Sequence, residues 1–342
     1  MVVANIIGTR PQYIKAALIS KELAACNIDE ILVDTGQHYD HNMSGIFADE
    51  FKLKNINNLD VGNLTPTIQI SEIINRLDYL LSGKKIDVGI VYGDTNSALA
   101  AAITLNKNGI PIAHIEAGLR SGDMRMAEEY NRIMIDHIST LLFAPTITAV
   151  KNMSREGMCD GIYNVGDIMY DNLLMHDIKP TGAYDYILAT IHRAENTNDI
   201  ENIKAILHGF GLSRKRIILP IHPRTKKVIT TAKIDIPCNV ELTEPVSYRE
   251  MLMLECDAER IITDSGGVQK EAYIFGVPCI TLRKSTEWTE TLRDGMNVLC
   301  PLNTLAIADL LTRKRNRKKP AKYYGDGTAH KKIIDIFGYK CR

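Results

Sequence analysis

The chain is 342 residues long and carries 41 Lys plus Arg against 41 Asp plus Glu, a formal net charge of zero. Such a balance gives no field to draw in nucleic acid or an anionic membrane surface. The length suits two domains of about 160 residues each, and a hydrophobic content of 45% is enough to fill two cores.

In chain order, the opening Met1-Val2-Val3-Ala4-Asn5-Ile6-Ile7 is too short for a secretion signal and reads as a strand. Short Val/Ile-rich runs then alternate with longer amphipathic ones, the pattern of repeated βα units and parallel sheets. A first set of strands is expected at residues 2–7, 31–34, 88–92, 111–115, 141–143 and 163–165, with helices at 11–26, 68–81, 97–107 and 128–139. A second set of strands follows at 186–190, 216–220, 240–242, 260–263, 278–282 and 298–299. Periodicity lapses around Pro180 and Gly182, both turn formers. This divides the chain into a first domain over 1–175, a second over 183–325 and a terminal tail or helix over 326–342. The charged run 313–319 reads as the solvated end of a helix. The fold class is α/β: two doubly wound, Rossmann-like parallel sheets, with a ligand cleft expected between the carboxyl ends of their strands. No uncharged run approaches the roughly 20 residues of a membrane span.

The chemically distinctive residues gather just after the strands. Gly8-Thr9-Arg10-Pro11 follows the first one, with Pro11 suited to a first helical position and Lys15 a turn further on. Arg10 and Lys15 can neutralise a diphosphate; the structural alternative is a surface Arg and a solvated Lys. Asp94 follows the third strand, Glu116 the fourth, and Glu128 opens a helix that also carries Arg132. Clustered carboxylates raise one another's proton affinity and supply general acids and bases. Singly, Asp94 can be a helix cap and Glu128 a partner of the helix dipole. Jointly, with Arg10 opposite, the site reading prevails.

In the second half, His192-Arg193 and His222-Pro223-Arg224 each follow a strand and can clamp phosphate oxygens or protonate a leaving group. Glu244-Pro245-Val246-Ser247-Tyr248 is either a nucleobase contact or a capping box, and Trp288 either a sugar wall or a core anchor. The strongest signal is Thr263-Asp264-Ser265-Gly266-Gly267-Val268-Gln269-Lys270-Glu271-Ala272. A strand running into Ser-Gly-Gly and then a helix turns unpaired N–H groups and a positive dipole end on one spot. Ser265, Gly266 and Gly267 therefore suit a phosphate or diphosphate, and Glu271 can accept hydrogen bonds from ribose hydroxyls. An ordinary strand-to-helix turn with Ser265 as N-cap is the alternative.

Gly8–Pro11, Asp34-Thr35-Gly36-Gln37-His38, Gly93-Asp94-Thr95, His114–Gly118, Glu128–Arg132, His192-Arg193, Asp264–Glu271 and Thr286-Glu287 occur in that order over nearly the whole chain. Together they resemble the UDP-N-acetylglucosamine 2-epimerase family, on the glycosyltransferase-B type of fold. Arg193-Ala194-Glu195-Asn196-Thr197 and Thr286-Glu287-Trp288 are closer to the branch acting on UDP-2,3-diacetamido-uronic acids. The resemblance implies that Arg10, Lys15, His192, Ser265 and Gly266 hold the diphosphate and Glu271 the ribose, with His222 and Gly267 beside them. It implies proton chemistry by Asp94, Glu116 and Glu128, supported by Arg132, and counts His192 with the catalytic set. It implies a homodimer whose partner is a UDP-sugar. The family inverts C2 by eliminating UDP to a 2-acetamidoglycal and adding it back on the other face; hydrolysing members instead release N-acetylmannosamine.

That route has a physical motive. The C2 proton has no adjacent carbonyl, and no Gly-x-Gly-x-x-Gly fingerprint follows a strand to supply a nicotinamide that would create one. Loss of UDP lets C2 shed its proton against developing oxocarbenium charge. No cofactor is expected, and no metal, because the acids are not spaced as a cage and basic side chains can carry the phosphate charge. The seven cysteines, odd in number and without Cys-x-x-Cys spacing, read as reduced thiols of a cytoplasmic protein. One departure stands out: Ala127 occupies the place where the family pattern usually has proline, which would preset the helix carrying Glu128.

Overall fold

The computed structural model describes residues 1–37, 53–62, 64–182, 184–314 and 316–340, so His38, Ala183, Arg315 and Cys341 of the readings above lie outside it. The chain divides into two compact units, Met1–Met175 with Lys322–Arg342, and His176–Ala321.

The first unit is a seven-stranded sheet in the order β3-β2-β1-β4-β5-β6-β7. Its strands are β1 (Val2–Ile7), β2 (Asp29–Asp34), β3 (Asn57–Asn58), β4 (Val88–Tyr92), β5 (Ile112–Ile115), β6 (Leu141–Ala144) and β7 (Ile162–Asn164). All pairings are parallel. The helices are α1 (Arg10–Ala25), α2 (Pro66–Leu81), α3 (Asn96–Lys107), α4 (Ala127–Ile138), α5 (Ile147–Arg155) and α6 (Ile168–Met175). Helices cover both faces of the sheet, so its central strands are apolar without alternation. In β1, Val3 and Ile7 join one buried cluster and Ala4 and Ile6 the cluster on the opposite face.

The second unit repeats the plan with six parallel strands in the order β10-β9-β8-β11-β12-β13. These are β8 (Ile187–Thr190), β9 (Ile217–Pro220), β10 (Val240–Thr243), β11 (Arg260–Thr263), β12 (Cys279–Thr281) and β13 (Asn297–Leu299). Between them run α7 (Ala194–Thr197), α8 (Ile200–Ser213), α9 (Pro223–Thr231), α10 (Tyr248–Asp257), α11 (Gly266–Phe275), α12 (Glu290–Arg293) and α13 (Thr304–Thr312). In each sheet the strand order reverses once, between β1 and β4 and between β8 and β11. Ligands of doubly wound sheets bind outside the strand ends at that reversal. Among the described residues, no helix is long and apolar enough to cross a membrane.

The end of the chain departs from the sequence reading, which set 326–342 apart from both domains. From Lys322 the chain belongs to the first unit, and its last helix, α14 (Ala329–Lys340), helps close that unit's core. Ile333, Ile334 and Phe337 are buried with Val3, Ile7 and Phe143, the Phe143 and Phe337 rings lying 5.9 Å apart. His330 is tied down as well: its backbone N and ring Nδ1 meet Asp171 Oδ2 at 2.8 and 2.7 Å. Truncating Phe337 to Ala is expected to cost about 3–5 kcal/mol in urea unfolding, as for a buried aromatic ring. A change under about 1 kcal/mol would show that α14 is no part of this core.

Candidate active site

In the first unit the site begins with the docking of α1. Gln12 Oε1 accepts from the N–H groups of Gly8 and Thr9 at 2.8 and 3.1 Å. Its Nε2 donates to Tyr92 O at 2.7 Å and to Thr95 Oγ1 at 3.1 Å. One buried amide thus joins the turn after β1 to the turn after β4, on either side of the strand-order reversal. Arg10 opens the helix half-buried, while Lys15 is 5% exposed and ion-paired with Glu116.

Glu116 follows β5 and lies in the left-handed region, with φ of 70°. A non-glycine residue is disfavoured there and is held only when its surroundings over-determine it. Gly93 donates its N–H to Ile115 O at 2.9 Å, and its C=O accepts from His114 Nε2 at 2.8 Å. A Cβ at Gly93, whose φ is +63°, would lie 3.3 Å from Glu116 Oε2, so glycine leaves room for the acid. Asp94 stands on the neighbouring strand end, its carboxylate paired with Arg132 and its carbonyl accepting from Asn131 Nδ2 at 2.9 Å.

Arg132 is 3% exposed and bridges Asp94 and Glu129. Of the adjacent acids on α4, it is Glu129 that secures the chain. It accepts from Ser121 N at 3.0 Å, Ser121 Oγ at 2.8 Å and Gly122 N at 2.9 Å. Burial opposes its ionisation, but those donors and Arg132 prevail and hold the carboxyl below the ordinary range. Glu128 is half-buried and takes no part in this network. Ala127 is the first residue of α4, whose start is fixed by Glu129 in the absence of proline.

In the second unit Asp264 is fully buried at the end of β11. Its carboxylate accepts from His192 N at 3.0 Å, Arg193 N at 2.9 Å and Asn196 Nδ2 at 2.9 Å. His192 Nδ1 also faces it, at 3.2 Å, which orients the ring. Burial holds His192 below the usual histidine range; Asp264 opposes that shift, and Arg193 and Arg224 reinforce it. The His222 ring lies 5.6 Å from that of His192, and its Nδ1 accepts from Arg224 N at 3.2 Å. Ser265 caps α11 through Val268 N, and Gly266 and Gly267 form the first turn. A Cβ at Gly266 would lie 2.5 Å from Glu287 Oε1 and 3.2 Å from Trp288 Nε1, so a larger residue there would displace the Glu287 carboxylate. Trp288 is buried, with Lys270 Nζ 3.7 Å above its ring. Glu271 is 5% exposed and accepts from Tyr248 Oη at 2.8 Å. Ser247 and Glu250 form the capping box at the start of α10.

The family model described as UDP-N-acetylglucosamine 2-epimerase matches residues 21–338. The chain belongs to that family. A Methanococcus maripaludis protein named UDP-N-acetylglucosamine 2-epimerase homolog is 44% identical, over 98% of this chain and 99% of the relative. The UDP-2,3-diacetamido-2,3-dideoxy-D-glucuronate 2-epimerase of Pseudomonas aeruginosa is 39% identical, again over 98% and 99%. The solved structure of Methanocaldococcus jannaschii UDP-GlcNAc 2-epimerase, in complex with UDP-GlcNAc and UDP, is 40% identical with a TM-score of 0.90, covering 99% of this chain and 100% of that one.

Within this 2-epimerase family member, the first unit holds Arg10, Lys15, Asp94, Glu116, Glu128 and Arg132, and the second holds His192, His222, Ser265, Gly266, Gly267 and Glu271. Sequence reasoning passed over three residues that hold these in place: Gln12, Glu129 and Asp264. Gln12 was detectable, standing three residues after Thr9 in capping-box spacing. Glu129 was not separable from Glu128 by residue type. Glu129→Gln is expected to lower stability at pH 7 by about 1–3 kcal/mol, the cost of mismatching buried donors. Because its folded-state pKa is depressed, the carboxylate's contribution is present above the unfolded value of about 4.3 and is lost as pH falls through the folded one. Urea melts of both proteins should therefore converge only as pH falls below that depressed folded-state value; a gap constant with pH would assign the loss to packing.

Proposed function

We propose that this protein is an isomerase, a non-hydrolysing UDP-N-acetylglucosamine 2-epimerase that inverts C2 of the sugar by eliminating UDP and adding it back. The observation that carries the reading is the pair of acids on adjacent strand ends, Asp94 after β4 and Glu116 after β5, each paired with a buried cation, Arg132 and Lys15. Inversion at C2 needs a proton removed from one face and returned on the other, hence more than one carboxylate. Asp94, Glu116 and Glu128 are assigned to that task, with Arg132 supporting Asp94.

The nucleotide half of the reading rests on the second unit. The N–H groups of Gly266 and Gly267 that open α11 suit the diphosphate, with Ser265 as the helix cap, its own N–H donating to Thr263 Oγ1 at 2.9 Å. Glu271, oriented by Tyr248, is assigned to the ribose. His192, its pKa held down, is neutral near pH 7 and takes a proton more readily once a diphosphate lies beside it. It is the group assigned to the departing and returning UDP oxygen, with His222 next to it. A second reading, the 2-epimerisation of UDP-2,3-diacetamido-glucuronate, is favoured by the Pseudomonas aeruginosa relative. A cytoplasmic location accords with the free thiols of the six described cysteines, and the family resemblance supports a homodimer.

Proton NMR of UDP-N-acetylglucosamine with the protein in D2O tests the reaction. UDP-N-acetylmannosamine with deuterium at C2 is expected. Free N-acetylmannosamine and UDP would indicate hydrolysis instead, and an unchanged spectrum with UDP still bound would favour the diacetamido-uronate. In the same assay Asp94→Asn should lower turnover about 100-fold or more while the Kd of UDP stays within about threefold. Equal losses in both would make Asp94 structural. Light scattering at micromolar protein should give twice the 38.2 kDa chain mass, and a single-chain mass would remove the dimer.

A further inference from the structure

Lys15 has two possible employers. The resemblance gives it to the diphosphate, yet in the structure its ammonium is turned inward. Gln12 clamps the first turn of α1 to the ends of β1 and β4. Lys15, three residues on, lies on the same side of the helix. It is brought onto Glu116, and the two side chains are only 6% and 10% exposed. Arg10, at the start of the same helix, keeps the more open position.

A buried ion pair is weak evidence for stability, because desolvating both charges consumes most of what their attraction returns. Glu116 adds a second cost, its left-handed backbone with φ of 70°. Two unfavourable features on one residue, joined by one lysine, have a simple account if the acid must be presented ionised and in one orientation. A lysine serving the diphosphate has no need of the carboxylate, and its charge toward an anion would be offset by it.

We infer that Lys15 is a positioning residue for Glu116, holding that carboxylate charged and aimed for the C2 proton, and that it contributes little to holding the diphosphate. The inference rests on the epimerase reading above. Wild-type conversion of UDP-N-acetylglucosamine, or of the diacetamido-uronate, is therefore established first in the same assay, so that failure of the function and failure of the lysine's role are told apart.

The experiment compares Lys15→Met, Lys15→Arg, Glu116→Gln and the double variant Lys15→Met/Glu116→Gln for turnover and for UDP affinity by calorimetry. Lys15→Met should lower kcat about 100-fold with the Kd of UDP changed less than about threefold, and Lys15→Arg should recover part of the loss. The double variant should be no slower than Glu116→Gln alone, because a residue acting only through Glu116 has nothing left to position. A rise of about 30-fold or more in the Kd of UDP, with saturated turnover kept, would return Lys15 to the diphosphate and overturn the inference. Losses that multiply in the double variant would overturn it as well. Should Lys15→Met not fold, Lys15→Gln in the same cycle gives the same two readouts.

Discussion

The constraint on which the rest depends is the reversal of strand order in each parallel sheet. At β1/β4 and at β8/β11 neighbouring strands send their chains to opposite faces, which leaves their carboxyl ends uncovered by a crossing helix. Helix N-termini and strand-end side chains then have to converge there. In the first unit Asp94 lies just beyond β4 at that point and Glu116 beyond the neighbouring β5; in the second, α11 opens there after β11. One topological feature, used twice, thus presents acids in one unit and a helix N-terminus in the other.

Placing charge at such a point requires compensation, and the compensation is local. Four acids of the first unit have a cation beside them in space: Lys15 for Glu116, Arg132 for Asp94 and Glu129, His114 and Arg120 for Asp136. Asp136 shows the balance well. Burial works against its ionisation, and His114 and then Arg120 outweigh it, so the carboxyl stays below its usual range. His114 in turn holds the Gly93 carbonyl, one residue before Asp94. The charges are therefore part of the framework that sets the strand ends, and they transmit rigidity from the sheet to the reactive side chains.

Much of this was legible in the sequence because it is periodic. The buried strands β1, β4, β8 and β11 are short runs rich in Val and Ile, and the turns after them announce themselves with Gly, Pro, Asp and Ser. The two-residue β3 was not legible, since Asn57-Asn58 carries no apolar pattern and is a strand only through its pairing with β2. The return of α14 to the first unit was hidden for a different reason. An amphipathic helix states which of its faces is buried, and says nothing of the sheet it is buried against. Asp264 was hidden because its value lies in hydrogen bonds to groups 71 residues away, and Gln12, legible as part of a capping box, gave no sign of its bond to Tyr92, 80 residues away. Residue type located the acids, then, while only the fold could show which cation serves which acid.

That last distinction bears on specificity. The family contains relatives named for UDP-N-acetylglucosamine and for a diacetamido-uronate. The proton chemistry at C2 that we propose for Asp94 and Glu116 is common to both sugars, so these acids and their cations are not where the two can be told apart. Discrimination must come from groups that meet C3 and C6, the positions at which the sugars differ. Arg193, 3.8 Å from Glu287, and Arg283, 2.9 Å from the same carboxylate, form a charged set in the second unit outside the proton-transfer machinery. The two stretches that most resemble the diacetamido-uronate branch, residues 193–197 and 286–288, thus meet at the Glu287 carboxylate.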